Sequence, residues 1–185
     1  MPNYRRWRVP GGVFFFTLVA HERRPILTLD LARPILRQAF VDANARLLFA
    51  VDAVVLLPDH LHLLMRLPPG EDDYPARLAK IKRNFTEGYL AAGGREGRST
   101  PSRERQRYRG VWEKRYYEHC IRNYRDFRMH LDYIHVNPVK HGLVQWPRDW
   151  PWSTFHSYVS KGEYDADWCG HIELPGGADV EPDTW

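Results

Sequence analysis

Apolar and polar positions follow the pattern of strands along four stretches of the chain. Residues 13–19 form a β-branched and aromatic run that is typical of a buried strand. Residues 49–57 and 60–67 are apolar runs on either side of a short Pro-Asp turn, which predicts a β-hairpin. Residues 111–121 return to strand character.

Helical periodicity fills the intervals between these strands. Over residues 29–48 apolar side chains recur at helical spacing, at Leu31, Ile35, Leu36, Phe40 and Ala43. Further helices are predicted over 74–91 and 123–136, and Asn137-Pro138 ends the last one because a residue before proline avoids helical geometry. This order predicts an α+β sandwich with helices packed on one face of a mainly antiparallel sheet. The tryptophans after Gln145 are expected to pack over the sheet edge.

The length and the charge point to one basic domain with an acidic end. The chain has 185 residues and a net charge of +4. Residues 161–185 contain seven Asp and Glu residues but one Lys and no Arg. We therefore expect one folded domain over 1–160 and an acidic tail over 161–185. Without the tail the domain is distinctly more basic, which favours a polyanionic partner.

The basic residues of this domain fall into two clusters, which are candidates for contacts with DNA phosphates. The segment 92–110 is rich in Gly, Ser and Arg and is predicted to be a mobile loop, with Tyr108 and Trp112 nearby as stacking surfaces. A solvated loop without a ligand explains the same composition. The candidate DNA-binding residues are Arg5, Arg6, Arg8, Arg95, Arg98, Arg103, Arg105, Arg107, Arg109, Lys114 and Arg115.

Cysteine usage and the N-terminal residues favour a cytoplasmic protein. Cys120 and Cys169 are too few and too far apart for a disulfide framework or a four-cysteine zinc site. The apolar run 13–20 follows arginines as in a signal peptide, but no small-residue cleavage site follows it. The run is also too short to span a bilayer.

The segment His60-Leu61-His62 is the first candidate for chemistry. Side chains two residues apart in a strand point to the same face, so both imidazoles can bind one cation. Leu61, Leu63 and Met65 would enter the core on the other face, and Asp59 is placed to hydrogen-bond one imidazole. Histidines on a solvent-facing sheet would give the same pattern.

Tyr133 and Asn137 form the second candidate. They are four residues apart at the end of the third predicted helix, and His130 lies on the same helical face. Pro138 leaves the direction of the Asn137 side chain undetermined. A core tyrosine followed by a helix stop is the alternative interpretation.

Three stretches together resemble the REP-associated tyrosine transposases, single-tyrosine members of the HUH (His-hydrophobe-His) endonucleases. The N-terminal stretch resembles the first strand of that family, the second stretch its His-hydrophobe-His strand, and the third its tyrosine helix. The later Trp150-Pro151-Trp152-Ser153-Thr154 is also similar, so the resemblance covers most of residues 4–158. The three stretches are Arg5-Arg6-Trp7-Arg8-Val9-Pro10-Gly11-Gly12-Val13-Phe14-Phe15-Phe16-Thr17, Pro58-Asp59-His60-Leu61-His62-Leu63-Leu64 and Asp132-Tyr133-Ile134-His135-Val136-Asn137-Pro138-Val139-Lys140-His141-Gly142-Leu143-Val144.

The resemblance implies a ferredoxin-like sandwich and a metal-dependent reaction on single-stranded DNA. His60, His62 and Asn137 would bind Mg²⁺ or Mn²⁺, and Tyr133 would attack the scissile phosphate to give a 5′-phosphotyrosine link. An ordinary tyrosine has a pKa near 10, so its deprotonation needs help, for which His130 is a candidate. The substrates implied are hairpins of repetitive extragenic palindromes, and the location a bacterial cytoplasm in association with the nucleoid.

Two other functions remain open at this point. A zinc-dependent hydrolase would use His60 and His62 with a bound hydroxide, without Tyr133 and without a covalent adduct. A catalytically inactive DNA-hairpin binding protein would bind without metal and without nicking. Monomer and homodimer are both compatible with the sequence.

Overall fold

A four-stranded antiparallel sheet lies at the centre of the computed structural model, which describes residues 8–98, 101, 105 and 108–169. The strands run in the order β2-β3-β1-β4, so the hairpin occupies one side of the sheet and the last strand the opposite edge. Their bounds are β1 Val13–Val19, β2 Ala50–Leu56, β3 His60–Arg66 and β4 Tyr117–Cys120.

Local signals in the sequence explain where the helices begin. The Asp73 side chain accepts a hydrogen bond from the Ala76 backbone N–H (3.2 Å), and Asn123 accepts one from the Asp126 N–H (3.0 Å). Short polar side chains at this position satisfy N–H groups that have no partner within the helix. The helices are α1 Ala32–Asn44, α2 Tyr74–Ala91, α3 Tyr124–Lys140 and the short α4 Phe155–Ser160.

The α+β class with a mainly antiparallel sheet is confirmed, but the prediction of helices on one face is wrong. The helices α1 and α2 pack on the face that carries Leu61, Leu63 and Met65. The helix α3 packs on the other face, with Leu131 and Ile134 against the sheet. The reason is that the second face of the sheet also carries large apolar side chains, among them Phe15 and Leu64, which need cover.

The predicted end of the third helix is also wrong, because α3 continues through Pro138 to Lys140. A proline in a helix removes one hydrogen bond and costs on the order of 3 kcal/mol. Pro138 is buried, and the helix ends two residues later, so few backbone bonds depend on it. As a result Asn137 is helical and lies one turn after Tyr133.

Strand β4 is shorter than the predicted 111–121, since only Tyr117–Cys120 pair with β1. Trp112 forms an isolated bridge with Ala20 instead. At the opposite edge, Ser153 bridges Val55 and the Trp150 indole N–H donates to the Leu56 carbonyl (2.9 Å). The tryptophan segment therefore covers the edge of β2, as predicted.

The first residues of the predicted acidic tail pack on the domain. Tyr164 is buried with Phe155 and Tyr158, and Trp168 packs against the same cluster. Residues 170–185 lie outside the described part of the chain, and the division at residue 160 stays a prediction. Among the described residues, no helix is long and apolar enough to cross a membrane.

Candidate active site

His60 and His62 lie on the same face of β3, and both are buried. Their exposed fractions are 3% and 0%, and their ring centroids are 4.8 Å apart. The Asp59 carboxylate lies 2.7 Å from His60 Nδ1, and Thr17 Oγ1 lies 2.8 Å from His62 Nδ1. Each ring is thus held at Nδ1, which fixes its orientation.

A strained turn at Glu22 and Arg23 holds the Asp59 carboxylate in place. Glu22 and Arg23 both have positive φ angles (55° and 50°), a conformation that costs free energy for residues other than glycine. The Glu113 carboxylate accepts the Glu22 backbone N–H at 2.8 Å, and the Arg23 guanidinium donates to Asp59 at 3.1 Å. Burial by itself would raise the pKa of Asp59, but His60 and Arg23 lower that pKa to about 2. The carboxylate is therefore ionised at neutral pH.

Tyr133 projects from α3 toward the two histidines. The side chain is 2% exposed, and its ring centroid lies 5.2 Å from that of His62. The Phe15 ring packs edge-on against it at 5.9 Å. The Lys140 ammonium donates to the Tyr133 hydroxyl at 3.5 Å and lies 5.1 Å from the ring centroid. A positive charge therefore lies beside the Tyr133 oxygen.

Asn137 brings a buried amide to the same site. The residue is fully buried, and neither its Oδ1 nor its Nδ2 has a hydrogen-bond partner of regular geometry among the described residues. Burial lowers the pKa of His62 well below its usual range, and positive charge on His60, His141 and Lys140 acts in the same direction. The nearby Asn137 amide opposes this shift. His62 is therefore neutral at physiological pH, the form in which imidazole can bind a metal.

Three residues around the site were not predicted from the sequence. Thr17 holds His62, Lys140 contacts Tyr133, and the His141 ring lies 5.1 Å from that of His60. A polar residue within the apolar run 13–19 was a usable signal for Thr17. Lys140 and His141 were missed because the helix was predicted to end before Pro138.

The described hydrogen bond of His130 goes to Asp126, and its assistance to Tyr133 stays a prediction. Its Nδ1 lies 2.9 Å from the Asp126 carbonyl oxygen, and its ring stacks on His119 with a centroid distance of 4.6 Å. A described contact at the Tyr133 hydroxyl comes from Lys140.

The predicted DNA-binding residues that the structure describes are exposed, and most lie at the His60 end of the sheet. The segment around Arg95 and Arg98 is anchored there, because the backbone oxygens of these residues accept hydrogen bonds from Arg24 and interact with His21 (2.8 and 3.1 Å). The prediction of a mobile loop is therefore wrong for this part, where Gly97 also donates to the Gly110 carbonyl. Arg109 pairs with Glu96 (2.7 Å), and Arg105 is exposed and helical.

Lys114 and Arg115 line a cavity of about 550 Å³ beside the strained turn. Glu22, Arg23 and Tyr116 are among its other lining residues. Arg8, by contrast, pairs with Asp72 at 3.1 Å, near the far end of β3. Arg5, Arg6, Arg103 and Arg107 lie outside the described residues.

The donor set fits a divalent metal. With each Nδ1 engaged, the ligand nitrogens of His60 and His62 would be Nε2, and the Asn137 amide is a buried polar group that an ion would satisfy. Two imidazoles and an amide leave further positions for oxygen ligands. The residues present therefore suit an ion that also binds a phosphate oxygen.

Comparisons with known proteins give closely similar relatives. Over 172 residues the chain is 40% identical to the REP-associated tyrosine transposase of Escherichia coli K12, covering 93% of each protein. A Haemophilus influenzae protein that carries the same family name is 40% identical over 182 residues, 97% of this chain and 100% of that protein. A solved REP-associated tyrosine transposase bound to a REP hairpin superimposes with a TM-score of 0.80 at 37% identity over 98% of both chains. No family model matches the chain.

Proposed function

The chain belongs to the REP-associated tyrosine transposase family, and we propose that it nicks and rejoins single-stranded DNA at hairpins of repetitive extragenic palindromes. The observation that carries this proposal is the convergence of Tyr133, His60 and His62 on one buried face. His62 and Tyr133 have ring centroids 5.2 Å apart. A related protein of the same fold is named for its complex with a REP hairpin, which supports the choice of substrate.

In this reaction the Tyr133 hydroxyl attacks the scissile phosphorus and expels the 3′-oxygen of the preceding nucleotide. The Tyr133 proton is lost, a phosphotyrosine bond to the 5′ side forms, and the departing oxygen takes up a proton to become a 3′-OH. One phosphate ester bond replaces another, so the same protein can reverse the step onto a different 3′-OH. This reversibility distinguishes a transposase from a nuclease that transfers the phosphate to water.

His60, His62 and Asn137 would hold Mg²⁺ or Mn²⁺, which supplies electrostatic stabilisation of charge on the phosphate oxygens. Thr17 and Asp59 keep the two imidazoles oriented for this task. Lys140 stabilises negative charge on the Tyr133 oxygen, since its ammonium lies 3.5 Å away. Phe15 and the helix α3 exclude water from the tyrosine side of the site.

The basic residues would hold the phosphates of the hairpin. Arg95, Arg98, Arg109, Lys114 and Arg115 lie at the end of the sheet where the site is, so a hairpin stem there would leave its single-stranded flank near Tyr133. Phosphate contacts fix the position of the DNA without reading its sequence. Affinity should therefore fall steeply with added salt for all hairpins alike. Such a protein would act in the cytoplasm at the nucleoid.

The test is incubation with a hairpin that carries a single-stranded flank, in the presence of Mn²⁺, with a denaturing gel to detect a covalent adduct. We expect an adduct and a 3′-OH product with the flanked hairpin, and none with a fully paired duplex or after chelation. Cleavage without an adduct would indicate a zinc-dependent hydrolase. Metal-independent binding without nicks would indicate an inactive hairpin-binding protein. Equal cleavage of the duplex would indicate a general nuclease.

A further inference from the structure

A second group of metal-ligating side chains lies where β4 meets the start of α3. His119 comes from β4, and Asp126 and His130 come from α3. Each offers a ligand atom within 4.8 Å of the other two. Their side chains are 10%, 13% and 4% exposed, so the group is nearly buried but is not sealed from solvent.

This group is separate from the candidate active site. The Phe15 ring contacts His130 on one side and His62 on the other, with centroid distances of 4.9 and 5.4 Å. The two sets share no ligand. The mechanism proposed above uses neither His119 nor Asp126.

The distance between two members of the group matches that between ligands of one ion. His119 Nε2 lies 2.9 Å from Asp126 Oδ2 and 3.2 Å from Oδ1. In a tetrahedral zinc site with bonds of about 2.0–2.1 Å, neighbouring ligand atoms are roughly 3.3 Å apart. An ion can therefore take the place of the hydrogen atom between these two residues.

The third ligand is identified by its hydrogen bonding. His130 Nδ1 lies 2.9 Å from the Asp126 backbone oxygen and 3.1 Å from Asp126 Oδ1, so in the neutral ring the proton is on Nδ1 and the lone pair on Nε2. That Nε2 is buried and has no hydrogen-bond partner among the described residues. A histidine held at Nδ1 by a backbone carbonyl is the usual arrangement of a metal ligand. The rings of His119 and His130 are stacked, so closure on an ion requires their rotation about the Cβ–Cγ bonds.

We propose that His119, Asp126 and His130 form a second divalent-metal site, of the Zn²⁺ class, that fixes the start of α3 on β4. Two imidazoles and one carboxylate are a donor set typical of zinc, cobalt or nickel, whereas Mg²⁺ prefers oxygen ligands. Three protein ligands leave one position for water. Tyr133 follows His130 by one helical turn, so the ion would stiffen the helix that carries the nucleophile.

The test uses the full-length protein with His60→Ala and His62→Ala, which removes the first site. Metal-free protein is titrated with Zn²⁺ and with Co²⁺, and native mass spectrometry, the visible Co²⁺ spectrum and the melting temperature are recorded. We expect one bound ion, a tetrahedral Co²⁺ spectrum and a higher melting temperature. If this double variant binds no ion, the proposal is wrong, and the group is a hydrogen-bonded helix cap.

A further substitution assigns the ion to the group. Adding His119→Gln should abolish the remaining binding and the shift in melting temperature. Adding His156→Gln, at an exposed histidine elsewhere, should leave both unchanged. An ion retained with His119→Gln would overturn the assignment. Because adduct formation is not the readout, a failure here leaves the proposed DNA chemistry separately testable.

Discussion

The two faces of the central sheet are built from the same strands but have opposite characters. On one face Leu61 and Leu63 join a core that α1 and α2 close with apolar side chains. His60 and His62 alternate with these leucines along β3 and therefore lie on the other face, which α3 covers. Because side chains alternate along a strand, β3 has an apolar face with Leu61 and Leu63 and a second face with His60 and His62. We call this second side of the sheet the chemical face.

The chemical face carries a cost in stability. It buries His62, His135 and Asn137 completely, and both polar atoms of the Asn137 amide lack a regular hydrogen bond among the described residues. Leaving a buried polar group unsatisfied costs about 1–3 kcal/mol. A bound metal or phosphate would recover part of this energy, whereas the apolar face needs no ligand. The contrast leads to four predictions.

The largest effect is expected at the nucleophile. Tyr133→Phe removes only the hydroxyl, so the adduct should be lost completely while the fold and hairpin binding persist. The readout is the denaturing gel described above, together with mass spectrometry of the wild-type adduct. Tyr158→Phe is the matched control, because this buried tyrosine on the same face donates to the Asp52 carbonyl (2.9 Å) and should leave the adduct intact. DNA found on Tyr116 or Tyr124 would disprove the assignment.

Adjacent residues of β3 should separate function from stability. His62→Ala should reduce metal-dependent nicking by at least about a hundredfold, equivalent to roughly 2.7 kcal/mol, with a small change in stability. Leu63→Ala should cost about 2–5 kcal/mol in the free energy of unfolding yet retain nicking below its melting temperature. Urea unfolding and nicking rates measure the two effects. If both variants lose nicking, or both lose stability to the same extent, the two faces of β3 do not have separate roles.

The free energy of unfolding should decrease as the pH is lowered, because His135 is buried in its neutral form. Burial lowers the pKa of His135 to about 3, with positive charge on Arg128 and His156 acting in the same direction. The unfolded residue titrates near pH 6.5, so between pH 6.5 and 3 only the unfolded chain takes up this proton. The stability that neutral His135 provides is therefore complete above pH 6.5. Below this pH, the free energy of unfolding decreases by about 1.4 kcal/mol per pH unit.

The check is urea unfolding of the wild type and His135→Phe at pH 7.5 and 4.5. The wild type should lose about 2–3 kcal/mol more than the variant between these pH values. The variant also loses the contact between His135 and Thr154 (3.2 Å). This loss is the same at both pH values, so it cancels when the change with pH is compared between the wild type and the variant. Equal losses would show that another group causes the acid sensitivity.

The smallest effect is expected at Lys140, which acts on the nucleophile through charge. Lys140→Ala should slow adduct formation by about tenfold, or roughly 1.4 kcal/mol, and Lys140→Arg should restore most of the rate. Single-turnover rates at saturating hairpin measure this effect apart from DNA binding. An alanine variant as fast as the wild type would exclude a role for Lys140 at Tyr133.

The sequence by itself determined the local parts of the site. Alternation in residues 60–67 determined that His60 and His62 share a face, and the Pro-Asp turn determined the hairpin that orients them. The spacing of four between Tyr133 and Asn137 suits one side of a helix, but Pro138 left the direction of Asn137 undetermined until the structure showed that the helix continues. These relations depend only on the repeat of a strand or a helix, which neighbouring residues define.

Only the tertiary structure decided which distant residues meet the site. Helix α3 runs through Pro138 because packing of its buried face outweighs the local preference, and this brings Lys140 to Tyr133 and His141 to His60. Pairing of β1 with β3 sets Thr17 against His62, and the strained turn brings Arg23 to Asp59. Except for Lys140 and Tyr133, which share a helix, these contacts join residues far apart in sequence. Their energy comes from strand pairing and core packing, which no local period encodes.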